Sequence, residues 1–497
     1  MAPDEAKASG FEIEQGPFEP TWDSLRTFAC PEWFRDAKLG IWAHWGPQCV
    51  AMYGDWYARH MYVEGHDQHR YHWRVYGHPS KVGYKDIVQL WKAERFDPDA
   101  LMSLYVDAGA KYFVAQAVHH DNFDNWNSTH HRWNAVNIGP KRDIVGLWHE
   151  AAKARGLRFG LTEHLGATFS WFSFNKGCDK TGPYAGVPYD GNDPAYEDFY
   201  LPNHDEAKRE KKRWYTDNPW WHARWFERIK DLIDQHQPDL LYSDGGVPFY
   251  RPGDGVECEA PGLHAIAHLY NTSAKLHGGV NQAVYNQKDH NEAVFTVGVL
   301  DIERGMEPDI FPYVWQTDTC VGGWFYNVRQ VYKTPKHVIE MLVDIVSKNG
   351  NLLLNLPQQP DGTLDDECLF ILKKMAEWVK VNGEGIYGTR PWTHAAEGPT
   401  VAEEGAFKEG AKEWTSQDFR FTAKEGCIYA FQMAWPADGS TTIRSFAQDT
   451  GPRVKGVRLL GLDGAVTFAQ DGEGLHIDVP AQPVGEVAHC FCIELEG

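Results

Sequence analysis

The chain has 497 residues, which exceeds one compact core and predicts two or more domains. Its formal net charge of −21 argues against nucleic acid or an anionic membrane as a partner, because phosphate groups are bound by clustered Lys and Arg. The 21 Trp suit either a large core or stacking on sugar rings. The nine Cys show no zinc-type spacing, and this pattern predicts mostly reduced, buried thiols.

Predicted helices and strands alternate through the first three quarters of the chain. Asp97-Pro98 begins one helix that Gly109 ends, and Asp143 caps the next. The predicted strands are KLGIWAHWG (38–46), 112–118, 157–162, 239–243, 280–285, 294–300 and 351–356, and the helices are 98–108, 144–155, 219–236, 263–276, 334–347 and 366–381.

Near-continuous apolar strands between amphipathic helices indicate a parallel sheet that is buried on both faces. About eight strands over some 350 residues favour a (β/α)8-like barrel in residues 1–388. An open doubly wound sheet is the alternative, but no GxGxxG turn follows an early strand. From 389 to 497 the pattern alternates in the manner of strands, which predicts a C-terminal antiparallel β-sandwich domain. The polar, aromatic loop 166–218 is expected over the barrel mouth.

Residues at the carboxyl ends of barrel strands carry the chemistry of such folds. Here these ends supply histidines, carboxylates and neighbouring Trp: His44, His119, His120, Asp121, Glu163, His164, Asp244, Asp301 and Glu303. A metal hydrolase would use converging ligands, but the first strand offers one His, and adjacent His119 and His120 point to opposite faces if their strand persists. Glycoside hydrolysis by two carboxylates fits the set better.

Several motifs resemble the α-L-fucosidases of glycoside hydrolase family 29. They are WFRDAKLGIWAHWGP, GDWYARHMY, KYFVAQAVHHDNF, PDLLYSDGG and SKNGNLLLNLPQQPDGTL…WVKVNGEGIYGTRPW, in order from about residue 20 to 392. The resemblance implies a barrel with a C-terminal β-sandwich, and it implies hydrolysis of terminal α-L-fucose with retention of configuration.

By this resemblance Asp244 matches the nucleophile, and its alternative is a turn-forming Asx residue before Gly-Gly. Donors such as His44 or Tyr242 are expected to keep its pKa low. Glu303 is the expected acid/base, with an ion pair to Arg304 as its alternative role. Glu163 and Glu307 are lesser candidates, and Gln316 stands where many relatives carry Glu.

The remaining expected site residues bind the sugar. Trp324 is expected to pack against the 6-methyl group of fucose, and Asp55 stands where the family usually has Glu. The substrate-binding set is His44, Asp55, Trp56, His119, His120, His164, Tyr242 and Trp324.

The predicted function is therefore a retaining exo-α-L-fucosidase that acts on fucosylated oligosaccharides or glycoconjugates without a metal or organic cofactor. The alternatives are a sister activity on α-L-galactosides, a non-catalytic fucose-binding protein and a metal hydrolase. No stretch is apolar enough to span a bilayer, and MAPDEAKASG does not have the pattern of a signal peptide. A cytoplasmic protein and a secreted or periplasmic protein whose signal has been removed are both compatible with this sequence. A homo-oligomer is compatible with the sequence, which does not decide the linkage that is cut.

Overall fold

A closed barrel of eight parallel strands forms the larger part of the computed structural model, which describes residues 10–209, 212–401 and 405–496. Neighbouring strands around the barrel follow the order β1-β8-β7-β6-β5-β4-β3-β2. The strands are β1 (Leu39–Ala43), β2 (Tyr112–Val118), β3 (Arg158–Glu163), β4 (Leu240–Ser243), β5 (Val284–Gln287), β6 (Val299–Asp301), β7 (Trp315–Cys320) and β8 (Gly350–Asn355).

Helices precede, connect and cover the barrel strands. The bounds are α1 (Trp22–Leu25), α2 (Glu32–Ala37), α3 (Tyr57–His60), α4 (Asp67–Val75), α5 (Tyr84–Leu90), α6 (Pro98–Asp107), α7 (Ile144–Ala154), α8 (Thr168–Trp171), α9 (Glu197–Tyr200), α10 (Asp205–Lys208), α11 (Pro219–His236), α12 (Ala260–Leu276), α13 (Glu292–Phe295), α14 (Pro335–Ser347) and α15 (Asp366–Asn382). Their starts follow the local chemistry: the side chain of Asp97 accepts the Ala100 N–H, and that of Asp143 accepts the Gly146 N–H. Among the described residues, no helix is long and apolar enough to cross a membrane.

The predicted barrel is confirmed, with three local differences. The strand predicted for 280–285 is Val284–Gln287. Strand β7, with the sequence WQTDTC, was not predicted, because its polar residues Gln316 and Asp318 lie fully buried and hide the apolar pattern. The strand predicted for 294–300 is only Val299–Asp301, since the Asn291 side chain caps the short helix α13 before it.

Two antiparallel sheets follow the barrel, as the β-sandwich prediction requires. They share a core that includes Phe419, Phe421, Ile443, Ile477 and Phe491. The five-stranded sheet has the order β9-β10-β11-β16-β13 and the three-stranded sheet the order β12-β15-β14. The strands are β9 (Arg390–Glu397), β10 (Phe419–Lys424), β11 (Cys427–Gln432), β12 (Ser440–Ile443), β13 (Val454–Leu459), β14 (Phe468–Gln470), β15 (Leu475–Asp478) and β16 (His489–Leu495).

Buried charge joins the sandwich to the barrel. Asp344 on α14 accepts hydrogen bonds from the Arg420 guanidinium of β10 and from Lys348 Nζ, which lies 3.0 Å from its Oδ2. All three side chains are almost fully buried. The nine cysteines are free, and five of them are buried as predicted, whereas Cys178 is exposed and three are half-buried.

Candidate active site

The carboxyl ends of the barrel strands surround a cavity of about 800 Å³. All ten residues expected in the site line it, together with residues that were not expected. The expected set is His44, Asp55, Trp56, His119, His120, His164, Tyr242, Asp244, Glu303 and Trp324. The additional lining residues are Trp42, Trp214, Gly245, Gly246, Tyr250, Arg251, Lys288, Asp289, His290, Arg304, Asp318 and Phe407.

Asp244 follows β4 directly, where the chain turns at Gly245 with a φ of +117°. Its backbone N–H donates to the Glu163 carbonyl at the end of β3, which fixes the turn against the neighbouring strand. Its Oδ2 lies 3.1 Å from His120 Nε2 and 3.5 Å from His164 Nδ1. The carboxylate therefore faces the cavity and contacts the side chains around it.

Lys288 joins the two carboxyl groups of greatest interest. Its Nζ lies 2.9 Å from Asp244 Oδ1 and 2.7 Å from Glu303 Oε2, so these two oxygens are at most 5.6 Å apart, the sum of 2.9 Å and 2.7 Å. The same ammonium lies 3.4 Å from Asp318 Oδ2. Carboxyl groups are about 5–5.5 Å apart in retaining glycosidases and about 6.5–9.5 Å apart in inverting ones. The spacing fits the retaining geometry.

The surroundings move the pKa values of the two acids in opposite directions. Burial alone would raise the pKa of Asp244, but the Lys288 ammonium, His164 and the His120 hydrogen bond hold it well below its usual value. For Glu303, burial raises the pKa, opposed by Lys288 and reinforced by the negative charges of Asp318 and Asp244. The pKa of Asp244 is thus lowered and that of Glu303 is raised, the division that a nucleophile and a proton donor require.

Hydrogen bonds orient the histidines at the cavity wall. His120 Nδ1 lies 2.5 Å from the His164 carbonyl oxygen while its Nε2 lies 3.1 Å from Asp244 Oδ2, so both ring nitrogens face acceptors. The Gln48 amide donates to His119 Nδ1 at 2.7 Å, which leaves the His119 Nε2–H for a ligand. Burial lowers the pKa values of His44, His119 and His164, which favours neutral rings suited to sugar hydroxyls.

Two family models match this chain along most of its length. The model described as "Alpha-L-fucosidase" matches residues 6–384, and "Alpha-L-fucosidase C-terminal domain" matches residues 412–496. The chain belongs to the alpha-L-fucosidase family. The predicted domain boundary between 388 and 389 falls between the two matches and stays a prediction.

Similar proteins include mammalian and bacterial members of the alpha-L-fucosidase family. The tissue alpha-L-fucosidase of Rattus norvegicus is 28% identical over 484 residues, covering 94% of this chain and 90% of the relative. The tissue alpha-L-fucosidase of Homo sapiens is 27% identical, and the alignment covers 97% of this chain and 92% of the relative. A Thermotoga maritima alpha-fucosidase, solved in complex with a mechanism-based inhibitor, has a TM-score of 0.74 at 23% identity, with 96% of this chain and 100% of that chain covered.

Not every detail of the expected alpha-L-fucosidase site is present. His44 was expected to donate to Asp244, but its Nδ1 has no hydrogen-bond partner, and the nearest donors to that carboxylate are Lys288 and His120. Tyr242 was the other expected donor, and its hydroxyl makes a long hydrogen bond of 3.4 Å to Asp244 Oδ1 in addition to one of 3.0 Å to Asp318 Oδ2. His119 and His120 do not point to opposite faces, because β2 ends at Val118 and both rings turn into the cavity.

The alternatives to Glu303 lie elsewhere. Glu163 accepts the Trp225 indole N–H at 3.0 Å and the Gly166 N–H at 3.2 Å, outside the cavity lining, and Glu307 is outside that lining too. Glu303 and Arg304 do not form the ion pair that was the alternative role of Glu303. Glu303 pairs with Lys288 instead, and Arg304 Nε lies 2.7 Å from Glu409 Oε1. Gln316 is buried in the barrel and donates to Asp301.

Three expected sugar-binding residues line the cavity with distinct surroundings. Burial raises the pKa of Asp55 to about 7, and its Oδ1 has no hydrogen-bond partner, which leaves an acceptor or donor for a hydroxyl. Trp324 packs on Trp42 with ring centroids 5.3 Å apart. Trp56 adopts a φ of +58° and contacts Trp171 from the loop 166–218 at 5.7 Å, so this loop supports the aromatic wall.

Sequence reasoning missed Lys288 and Asp318. Lys288 directly follows β5, so the strand-end rule that found Asp244 would have found it too, had the end of this strand been read as Gln287. Asp318 lies on β7, the strand that was not predicted because of its polar residues.

Within the described residues, three groups of side chains have ligand atoms close enough to hold a metal ion. Two lie in the cavity, namely His44 with His119 and His164, and His120 with His164 and Asp244. The third is His69, His78 and Asp179, where both histidines approach one buried carboxylate, at 3.3 Å and 3.0 Å. In the cavity the Asp244 carboxylate is already paired with the Lys288 ammonium, an arrangement that competes with a cation.

Proposed function

We propose that this chain is a retaining exo-α-L-fucosidase that hydrolyses terminal α-L-fucose from fucosylated oligosaccharides or glycoconjugates. The observation that carries the proposal is the pair of acids, Asp244 and Glu303, which face one cavity. Lys288 Nζ lies 2.9 Å from an oxygen of Asp244 and 2.7 Å from an oxygen of Glu303, so these two oxygens are at most 5.6 Å apart. Membership of the alpha-L-fucosidase family supports fucose as the sugar.

In the first step Asp244 Oδ attacks C1 of the fucoside and the bond from C1 to the leaving oxygen breaks. Glu303 gives its proton to that oxygen, so the aglycone departs as an alcohol and a covalent fucosyl-enzyme ester remains. The low pKa of Asp244, held down by Lys288 and His164 against the effect of burial, supports its role as the attacking carboxylate.

In the second step the Glu303 carboxylate takes a proton from water while the water oxygen attacks C1. The ester bond to Asp244 breaks, and L-fucose leaves with its original anomeric configuration. The raised pKa of Glu303, caused first by burial and then by Asp318 and Asp244, suits a group that must give a proton and take one back.

The sugar is held by neutral imidazoles and aromatic faces. The free His119 Nε2–H and His164 Nε2, which has no hydrogen-bond partner, supply a donor and a further polar atom for ring hydroxyls. Trp324 provides an apolar face for the 6-methyl group, which is the difference between fucose and galactose of the L series. No step requires a metal or an organic cofactor.

Asp244→Asn and Asp244→Gly test the nucleophile. Both are expected to lower turnover of an aryl α-L-fucoside by several orders of magnitude while the melting temperature stays near that of the parent chain. Product analysis by NMR is expected to give α-L-fucose first, before mutarotation. Near-normal activity in either variant, or β-L-fucose as the first product, would contradict the proposal.

Glu303→Ala tests the acid/base. Activity on an aryl fucoside with a good leaving group is expected to fall far less than activity on a natural glycan, because such a leaving group needs little protonation. Azide is expected to restore turnover and yield a fucosyl azide. Glu163→Ala is the matched control, and azide rescue of that variant instead would move the role to Glu163.

The alternatives make different predictions for the same protein. A sister α-L-galactosidase would cleave aryl α-L-galactosides at least as well as fucosides, and a non-catalytic fucose-binding protein would bind fucose without hydrolysing either. A panel of linkage-defined fucosylated oligosaccharides identifies the preferred glycan. Size-exclusion chromatography with light scattering decides whether the chain is a homo-oligomer.

A further inference from the structure

A segment between the first two strands of the β-sandwich reaches back to the mouth of the barrel. This rim segment comprises residues 405–412, between β9 and β10. Its Gly405 N–H donates to the Met306 carbonyl at 3.1 Å, and its Phe407 N–H donates to the Glu303 carbonyl at 3.0 Å. The C-terminal part of the chain thus binds the backbone of the residue proposed as the acid/base.

The rim segment is built to dock at this position. A Cβ on Gly305 would lie 2.2 Å from the Gly405 carbonyl oxygen, so the close approach of the two backbones requires glycine there. Phe407 has a φ of +59°, a left-handed conformation that is uncommon for a residue with a side chain. Such a conformation persists where the surrounding contacts fix it.

A buried carboxylate holds the rim segment in place. Glu409 is 6% exposed, and its Oε1 lies 2.7 Å from Arg304 Nε and 2.8 Å from Lys333 Nζ. Its other oxygen accepts a hydrogen bond from the Thr319 hydroxyl, and its backbone carbonyl accepts one from His337 at 2.8 Å. Burial would raise the pKa of Glu409, but Lys333 and these hydrogen bonds lower it, so the anchor stays charged.

Phe407 is the one residue of the rim segment that lines the cavity, and its side chain is largely open to solvent at 65% exposure. An apolar ring fixed at the mouth of a polar cavity has no core to fill. Because its backbone N–H donates to the Glu303 carbonyl, Phe407 lies next to Glu303, which also lines the cavity. Since Glu303 is proposed to protonate the leaving oxygen, this is the side on which the leaving group must lie.

We infer that Phe407 forms an aromatic platform for the sugar ring next to the scissile bond, and that the rim segment sets the leaving-group preference. Pyranose rings present apolar C–H faces that stack on aromatic side chains. The leaving group is therefore a pyranose, as in a fucosylated oligosaccharide. This inference rests on the proposed function, because the position of the leaving group is defined by Glu303.

The test compares substrates with and without that sugar ring. The variants are Phe407→Ala and Phe407→Trp, with Phe370→Ala as control, since Phe370 lies on α15, is 52% exposed and is outside the cavity lining. Each is assayed on α-L-fucosyl fluoride, which has no leaving-group sugar, and on fucosylated disaccharides with N-acetylglucosamine or galactose as the leaving group.

For Phe407→Ala we expect kcat/KM on at least one disaccharide to fall about five- to tenfold, which lies in the upper part of the range of an aromatic stacking contact, while kcat/KM on fucosyl fluoride stays within about twofold. Phe407→Trp is expected to retain activity on that disaccharide, and Phe370→Ala to match the parent on every substrate. Melting temperatures show that the variants are folded.

Two results would overturn the inference. Equal losses on disaccharide and fluoride would mean that Phe407 supports the acids and does not contact the leaving group, and unchanged kcat/KM on all disaccharides would mean that it contacts nothing. A parent chain that fails to hydrolyse fucosyl fluoride would instead contradict the proposed function. The two failures are therefore distinguishable.

Discussion

Replacing Lys288 by Met should move the whole pH profile of the enzyme toward higher pH. The ammonium of Lys288 lies 2.9 Å from Asp244 and 2.7 Å from Glu303, and its own pKa is raised by these carboxylates and by Asp318 against the lowering effect of burial. Met keeps most of the side-chain volume and removes the charge. Three carboxyl groups then share one cavity without the cation between them.

The size of the shift follows from the ion-pair distances. At an effective dielectric constant of about 20, two unit charges about 4 Å apart interact by about 4 kcal/mol, and one pKa unit corresponds to about 1.4 kcal/mol. Neighbouring carboxyl groups that take up protons reduce the net effect, so a shift of about 1–3 units is expected.

The sign of the shift is the same for both acids. Asp244, the proposed nucleophile, has a depressed pKa and would have to be ionised to attack, so activity is lost as pH falls through that pKa, and in Lys288→Met the loss begins at higher pH. Glu303, the proposed acid/base, already has a raised pKa and would have to be protonated to act as the acid, so removal of Lys288 raises the alkaline limb as well. Both limbs of kcat/KM should therefore move upward.

The assay separates the two limbs. With α-L-fucosyl fluoride the leaving group needs no proton, so the acid limb of kcat/KM reports Asp244, and an aryl fucoside with a poor leaving group reports both acids. Lys288→Arg keeps the charge and is the matched control. A folded Lys288→Met whose acid limb coincides with that of the parent would refute the electrostatic reasoning.

Three further predictions concern stability, specificity and metals. Asp344→Asn should lower the free energy of unfolding, measured by denaturation, by about 3–5 kcal/mol, because it leaves Arg420 and Lys348 buried without their anion. Neighbouring cations depress the pKa of Asp344 against the effect of burial, so the difference from the parent should shrink as pH falls below about 4. The control is Asp23→Asn, whose side chain is 99% exposed. Trp324→Ala should change the ratio of kcat/KM for α-L-fucosides over α-L-galactosides about tenfold toward the galactoside, and an unchanged ratio would exclude a methyl contact. Dialysis against a chelator should leave activity on an aryl fucoside intact, whereas a loss restored by added metal would point to the histidine groups of the cavity.

The barrel could be predicted from the sequence where its strands are apolar. YFVAQAV at 112–118 and NLLLNL near 351–356 are buried on both faces, so they have a continuous apolar pattern. WQTDTC has the same burial but carries polar side chains into the barrel, where Gln316 donates to Asp301 and Asp318 approaches Lys288. A strand that supplies the site with polar groups loses the pattern by which strands are recognised.

The positions of the two acids, Asp244 and Glu303, could not be predicted equally well from the local sequence. The physical reason is that different parts of the chain supply the contacts that hold each of them in place. The position of Asp244 is fixed by its own strand and by the neighbouring Glu163 carbonyl, contacts that any parallel barrel provides. Glu303 lies beyond β6 in a turn held by the Phe407 N–H, while Glu409 pairs with the adjacent Arg304. Those two supports are about a hundred residues away and belong to the connection between β9 and β10. The position of the proposed acid/base is therefore a property of the barrel and the C-terminal part together, so a family motif around Glu303 alone is expected to be weak. Changes in the rim segment are expected to alter the proposed proton transfer before they affect the proposed nucleophile.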